Sequence, residues 1–273
     1  SWSKKVRCMG DAGSDAYDVV IIGAGLGGLV CGCYLAKAGM KVLIAEQHHK
    51  PGGYCTSFTR KGFSFDAAAH SFGSCRNGGI IDGILRDLGL DRRITINRYD
   101  PCDSIISPNH RITFWKDVER TVVELAERFP REKRIGAFFG FLQRPEPAAL
   151  IVLRKKTFKD LLDEYFADEN LKALLSLPLF GYGGLPPSLL SAVPGSKIFT
   201  EFLLDGGYYP QGGMQALPDL LALRFREFGG TLLLSTRVQK ICVKDSHVAG
   251  IILDNGQAVR STRVISACDA RQT

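Results

Sequence analysis

Three glycines and one carboxylate carry the clearest chemical signal in the chain. Gly23, Gly25 and Gly28 form a GxGxxG turn within Gly23-Ala24-Gly25-Leu26-Gly27-Gly28, and Glu46 follows further on. Such a turn can wrap a pyrophosphate. Its first glycine permits the tight bend, its second lets the phosphates approach the backbone, and its third lets the next helix close onto the preceding strand. A helix predicted from about Leu26 to Lys37 aims free N–H groups and a positive dipole end at those phosphates. Glu46 is placed to accept hydrogen bonds from a ribose 2′-hydroxyl. These roles need the right flanking elements. Asp18-Val19-Val20-Ile21-Ile22 reads as a parallel strand buried on both faces. Gly39 suits a helix C-cap, and Lys41-Val42-Leu43-Ile44-Ala45 reads as a second strand ending at Glu46. A lone GxGxxG says little, whereas strand, turn, helix, strand and acid in this order signal an adenine-dinucleotide site.

Three details favour FAD over NAD. Gly32 lies one helical turn beyond Gly28 and keeps the helix close to the sheet. Pro51-Gly52-Gly53 is a second glycine turn that could pass beside a cofactor. Val238 to Ala267 alternates like a set of short strands and ends in Arg263-Val264-Ile265-Ser266-Ala267. An NAD site would leave the doublet and the late strands without a role. On these residues the chain resembles the two-domain flavoproteins that include flavin amine oxidases, phytoene desaturases, carotenoid isomerases and retinol saturases. The resemblance implies that Glu46 is the ribose acid and that Gly52-Gly53 lies near the flavin and its pyrophosphate. It further implies that the Val238 backbone meets the adenine, and that Val264 to Ala267 returns to the nucleotide-binding sheet. The expected cofactor-binding set is Gly23, Gly25, Leu26, Gly27, Gly28, Glu46, Gln47, Gly52, Gly53, Tyr54 and Val238.

Within that family, amine oxidases carry an arginine after the glycine doublet, whereas this chain has Tyr54-Cys55-Thr56-Ser57-Phe58. Lys61 to Phe72 and Tyr208 to Leu217 are similar to the desaturase and isomerase pattern. The resemblance therefore implies an oxidoreductase acting on a long apolar polyene by hydride exchange with the flavin N5, as a desaturase, saturase or isomerase. No Ser-His-Asp order, paired carboxylates or metal cluster stands out, as suits a flavoenzyme whose cofactor carries the chemistry. His70 and Asp66 are the titratable candidates for shaping the flavin edge; equally, Asp66 could cap a turn and His70 sit satisfied in a core. Tyr54 and Phe72 could line the ring face. The alternatives are a flavin amine oxidase and a non-catalytic nucleotide-binding module.

The 273 residues suffice for one or two domains with a sizeable core. A net charge of +7 is thinly spread, and neither Arg131-Glu132-Lys133-Arg134 nor Arg154-Lys155-Lys156 is interleaved with aromatics, which argues against nucleic acid. Both clusters read as solvated surface, with anionic lipid headgroups as the alternative. Eight cysteines without CxxC or zinc spacing fit scattered thiols in the cytosol. Prolines at 178, 186, 187 and 194 interrupt the longest uncharged run, Ala173 to Ser196, which argues against a spanning helix there. Its Leu, Gly and aromatic content reads as core with connecting loops, or as the wall of an apolar tunnel or a surface dipping into lipid.

The expected architecture is α/β: a Rossmann-type FAD-binding domain split by a mostly helical substrate insertion. Residues 1–16 read as a flexible leader, 17–75 as the first part of the FAD domain, 76–205 as the substrate region and 206–273 as the second part. Leu232-Leu233-Leu234 is expected to begin the late strand set, and Asp254-Asn255-Gly256 to make a hairpin turn. Members of the family run on for roughly as long again, so the chain is expected to be a fragment or a truncated product.

Overall fold

A computed structural model describes residues 16–144, 147–271 and 273; the expected leader lies almost wholly outside them. The chain opens with β1 (Val19–Ile22), α1 (Leu26–Lys37) and β2 (Val42–Ala45). Every residue of β2 is buried and β1 nearly so, as strands covered on both faces must be. A hairpin of β3 (Ser57–Arg60) and β4 (Phe63–Asp66) follows, with Phe58 paired to Phe65 and their rings stacked at 5.4 Å. Helix α2 covers Ile80–Asp87.

The middle holds three short strands, β5 (Ile96–Arg98), β6 (Asp103–Ile106) and β7 (Arg111–Phe114). Helices α3 (Val118–Arg128), α4 (Ile135–Gln143), α5 (Pro147–Leu153), α6 (Phe158–Tyr165), α7 (Glu169–Gly183) and α8 (Ala192–Ile198) follow. The chain passes from α8 into a π-turn, Phe199–Leu204, and then into β8 (Tyr208–Pro210). Local chemistry sets several of these starts. Thr157 and Asp160 form a reciprocal capping box at α6, and Asp168 accepts from the Asn170 and Leu171 amides at α7. Phe138 is wholly buried, its ring edge-on to Phe139, Tyr165, Phe166 and Phe199.

The proline-interrupted run, expected as core with connecting loops or as an apolar wall, is largely helical, because α7 continues through Pro178. Proline costs the helix one hydrogen bond, but Leu171, Leu174, Leu175, Pro178 and Leu179 are all buried, and that apolar face outweighs the lost bond. The helix ends at Gly184 in the left-handed region, φ 65°.

The return comprises α9 (Ala216–Glu227), β9 (Thr231–Leu233), β10 (Val238–Lys244), β11 (His247–Leu253), β12 (Ala258–Arg260) and β13 (Val264–Ser266). A parallel sheet runs in the order β13-β1-β2-β9. Val20 is flanked by Val264 on one side and Leu43 on the other. The leucine run at 232–234 therefore does not open the late strand set; β9 joins the parallel sheet beside β2, as an uninterrupted apolar run favours. The antiparallel set is β10-β11-β12. Its Ile251, Leu253 and Val259 pack with Val20, Leu43 and Ala45 of the parallel sheet. On α1, a Cβ at Gly32 would stand 2.7 Å from Ile44 Cδ1 and 3.2 Å from the Phe225 ring, so only glycine lets α1 settle this closely. The Cys33 thiol, facing the same side, hydrogen-bonds the Leu221 carbonyl at 3.4 Å.

By compactness the chain divides into two units. One holds the described residues up to His70, residues 83–95 and those from Pro210 onward; the other holds residues 71–82 and 96–209. No helix among the described residues is long and apolar enough to cross a membrane.

The second unit contains a charged knot. Arg76 donates to Glu201 at 2.8 and 3.2 Å and to Asp205 at 2.8 Å, and Tyr208 donates to Asp205 at 3.2 Å. Lys197 also pairs with Glu201. The Arg76 guanidinium, followed by Lys197, holds the buried Glu201 carboxyl down at about 2. A carboxylate whose folded pKa is depressed contributes stability above its unfolded value, and that contribution is lost as pH falls toward about 2. Arg76→Ala should destabilise the chain by about 2 kcal/mol at pH 7, less than the loss of a fully buried pair, because Arg76 is 43% exposed and Lys197 remains. Urea titrations across the acid range should show this difference shrinking as pH falls below about 4.5. A difference independent of pH would remove the ion pair as its cause.

Candidate functional site

The edge of the first unit opens into a cleft of about 1470 Å³. β1 delivers the chain to Gly23, whose φ of +99° only glycine adopts without strain. Its N–H is held by the Ala45 carbonyl at 2.8 Å. Gly25 is the N-cap of α1, with no side-chain cap bond and no acidic residue in the first turn. The helix therefore presents bare N–H groups and an uncompensated positive end. A Cβ at Gly25 would meet no atom within 4 Å, whereas one at Gly28 would lie 2.1 Å from the Gly23 carbonyl oxygen. Of the two, Gly25 borders open space and Gly28 is needed for packing.

Glu46 leaves β2 with its carboxylate already fixed. One oxygen accepts from the Ala24 N–H at 2.7 Å and the other from the His48 N–H at 2.8 Å. Each oxygen keeps a further lone pair for a ligand hydroxyl. The second glycine turn lies against the first. Gly52 donates to the Ala24 carbonyl at 2.8 Å, and a Cβ at Gly53 would come 3.3 Å from Gly25 Cα. Gly52 and Gly53 have φ of +127° and +56°. Gln215 braces this turn, donating to the Pro51 carbonyl at 2.8 Å and accepting from Ser57 N–H at 3.2 Å.

Gly23, Gly25, Leu26, Glu46, Gln47, Gly52, Gly53, Tyr54 and Val238 all line the cleft, with Tyr54 85% exposed. Gly27 and Gly28 are not among the lining residues. Nor are Asp66 and His70. Asp66 accepts from the Ser57 hydroxyl at 2.7 Å and from the Met214 N–H at 3.1 Å, tying the β3–β4 hairpin to the segment before α9. His70 is exposed. The lining also includes residues that sequence reasoning left out: Arg237, Gln239, Asp254, Cys268 and Asp269. The one local cue to the first of these is a basic residue directly before Val238. Hydrogen bonds from the Ser266 and Thr273 hydroxyls hold the Cys268 thiol below its ordinary range.

The cleft fits an adenine dinucleotide on its own terms. It joins an uncapped helix N-terminus, a glycine with open space where a side chain would stand, and an oriented carboxylate. Comparison with known proteins agrees. The chain matches the flavin containing amine oxidoreductases over residues 26–272. It is 26% identical to the all-trans-retinol 13,14-reductase of Danio rerio, an alignment covering 91% of this chain and 47% of that protein. It is 25% identical to prolycopene isomerase 2, chloroplastic, of an Oncidium hybrid cultivar, over 93% of this chain and 48% of that protein. The chain thus spans about half the length of these curated relatives. Its fold is similar to that of an oxidoreductase from Methanosarcina mazei, with a TM-score of 0.72 and 22% identity over 91% of this chain and 58% of the other. The match over most of its length makes the chain a member of the flavin containing amine oxidoreductase family, with FAD as its cofactor.

Proposed function

We propose that this chain belongs to an FAD-dependent oxidoreductase of long apolar polyenes, of the phytoene desaturase, carotenoid isomerase or retinol saturase type. The observation that carries the reading is the match to a retinol reductase and a prolycopene isomerase across about nine-tenths of the chain. Tyr54, standing where amine oxidases carry arginine, supports the same branch. Residues 17–75 and 206–273 serve cofactor binding in this reading, and 76–205 serve the substrate.

Bound FAD supplies two-electron exchange at carbon. The chain supplies the rest. The α1 N-terminus and Gly25 receive the pyrophosphate, with Gly23, Leu26, Gly27 and Gly28 shaping the turn. Glu46 and Gln47 take the ribose, Val238 the adenine, and Gly52, Gly53 and Tyr54 the side toward the flavin. Asp66 acts as a positioning residue, since its hydrogen bonds to Ser57 and Met214 fix the segment leading toward His70, the second group assigned to the flavin edge. Collecting such a substrate from a membrane surface, by peripheral contact of a cytoplasmic protein, belongs to the same proposal.

The test uses the FAD-loaded chain, freed of unbound flavin and mixed anaerobically with a retinoid, a poly-cis carotene or a primary amine. The polyenes are expected to perturb the retained flavin spectrum, and the amine to leave it unchanged. Reduction of the flavin by the amine would replace this reading with amine oxidation.

A further inference from the structure

The cleft lining includes one arginine that no role above has used. Arg237 lines it and is exposed, and no carboxylate among the described residues pairs with its side chain. Its backbone is held on both sides. The preceding residues run along the exit of β2, with Thr236 N–H donating to the Glu46 carbonyl and Ser235 N–H to the His48 carbonyl, both at 2.8 Å. Ser235 makes that bend at φ +50°. On the other side, Asp254 N–H donates to the Arg237 carbonyl at 2.9 Å, and Val238 pairs with Leu253. Arg237 is thus fixed between Glu46 and Val238.

We infer that Arg237 is an adenosine-binding residue whose planar guanidinium lies across the purine ring of the cofactor; this rests on the cofactor roles proposed for the cleft. The pyrophosphate already has its partner in the α1 N-terminus, and the ribose has Glu46. The next position along the rim, between the ribose acid and Val238, falls to the base. A flat, weakly hydrated cation is a natural stacking partner for a heteroaromatic ring, whereas an ammonium offers only a point charge. The consequence is selectivity for adenine among nucleotides of equal charge.

Calorimetric titration of the chain with ADP and with UDP tests this without any turnover. The unsubstituted chain should prefer ADP. Arg237→Ala should weaken ADP binding about tenfold and change UDP binding much less, with an unaltered melting temperature. Arg237→Lys, which keeps the charge and loses the plane, should recover only part of the loss. Equal ADP binding by Arg237→Ala would overturn the inference, as would full recovery by Arg237→Lys with a loss abolished by salt, which marks a phosphate contact. Failure of the unsubstituted chain to bind ADP would overturn the cleft assignment itself, and is recognisable as a separate result.

Discussion

Gly25→Ala should leave the fold intact and weaken FAD binding by on the order of 100-fold, or about 2.7 kcal/mol. The two halves of that expectation have separate origins. Gly25 has φ −67° and ψ 172°, an extended conformation open to any residue. A Cβ there meets no protein atom within 4 Å. Folding therefore has nothing to resist, and alanine reduces the entropy of the unfolded chain slightly. The same Cβ would project into the space through which the phosphates approach the first N–H groups of α1. Holding an anion away from those donors by the width of a methyl group removes the short, charge-assisted hydrogen bonds on which the site depends. Thermal melting should shift by no more than about 2 °C, while a flavin fluorescence titration reports the affinity loss. An unchanged dissociation constant would mean that the pyrophosphate does not lie against Gly25.

The parts of this arrangement that the sequence reveals are those with local causes. β1, the glycine turn, α1, β2 and Glu46 follow one another closely, and each carries its own signature of buried apolar residues, obligatory glycine or terminal acid. Gly32 announces a close helix–sheet contact, and a Cβ there would indeed lie 2.7 Å from Ile44. Asp254-Asn255-Gly256 announces a turn, and Gly256 stands at φ +85° between β11 and β12. What stays hidden depends on partners far apart in the chain. Nothing local in Leu232-Leu233-Leu234 says that it will lie beside β2 and not beside β10. Pro178 looks like a breaker until the buried leucines of α7 are counted. Asp66 reads as a turn residue or a catalytic one because its partner, the Met214 amide, lies 148 residues away. Arg237 enters the cleft because the backbone before it pairs with residues 46–48, and no periodicity encodes that pairing. Strand order and cleft membership are properties of the assembled sheet.

Gly28 provides the converse test. Gly28→Ala should destabilise the chain by at least about 3 kcal/mol and abolish retention of flavin as a consequence of the lost fold. A Cβ at this position would stand 2.1 Å from the Gly23 carbonyl oxygen, 3.3 Å from its carbonyl carbon and 3.4 Å from Ala267 Cβ. The nearest obstacle is backbone, so no side-chain rotamer can relieve the clash. Gly23 cannot retreat easily either. Its N–H is bonded to Ala45, its φ of +99° is already confined to glycine, and the Ala267 carbonyl oxygen lies 3.4 Å from where its own Cβ would be. The alternative is for α1 to lift from the sheet, opening the contacts of Gly32 with Ile44 and Phe225 and of Cys33 with Leu221. Either movement dismantles the turn that holds Gly25 and the α1 N-terminus in place. Denaturant unfolding of Gly28→Ala beside Gly25→Ala separates the two functions of one motif. Gly25→Ala should unfold with the midpoint of the parent chain and bind flavin poorly, while Gly28→Ala should lose both. A Gly28→Ala chain with parental stability would show that the turn yields to a side chain, and would remove close packing of α1 on β1 as the reason for glycine at this position.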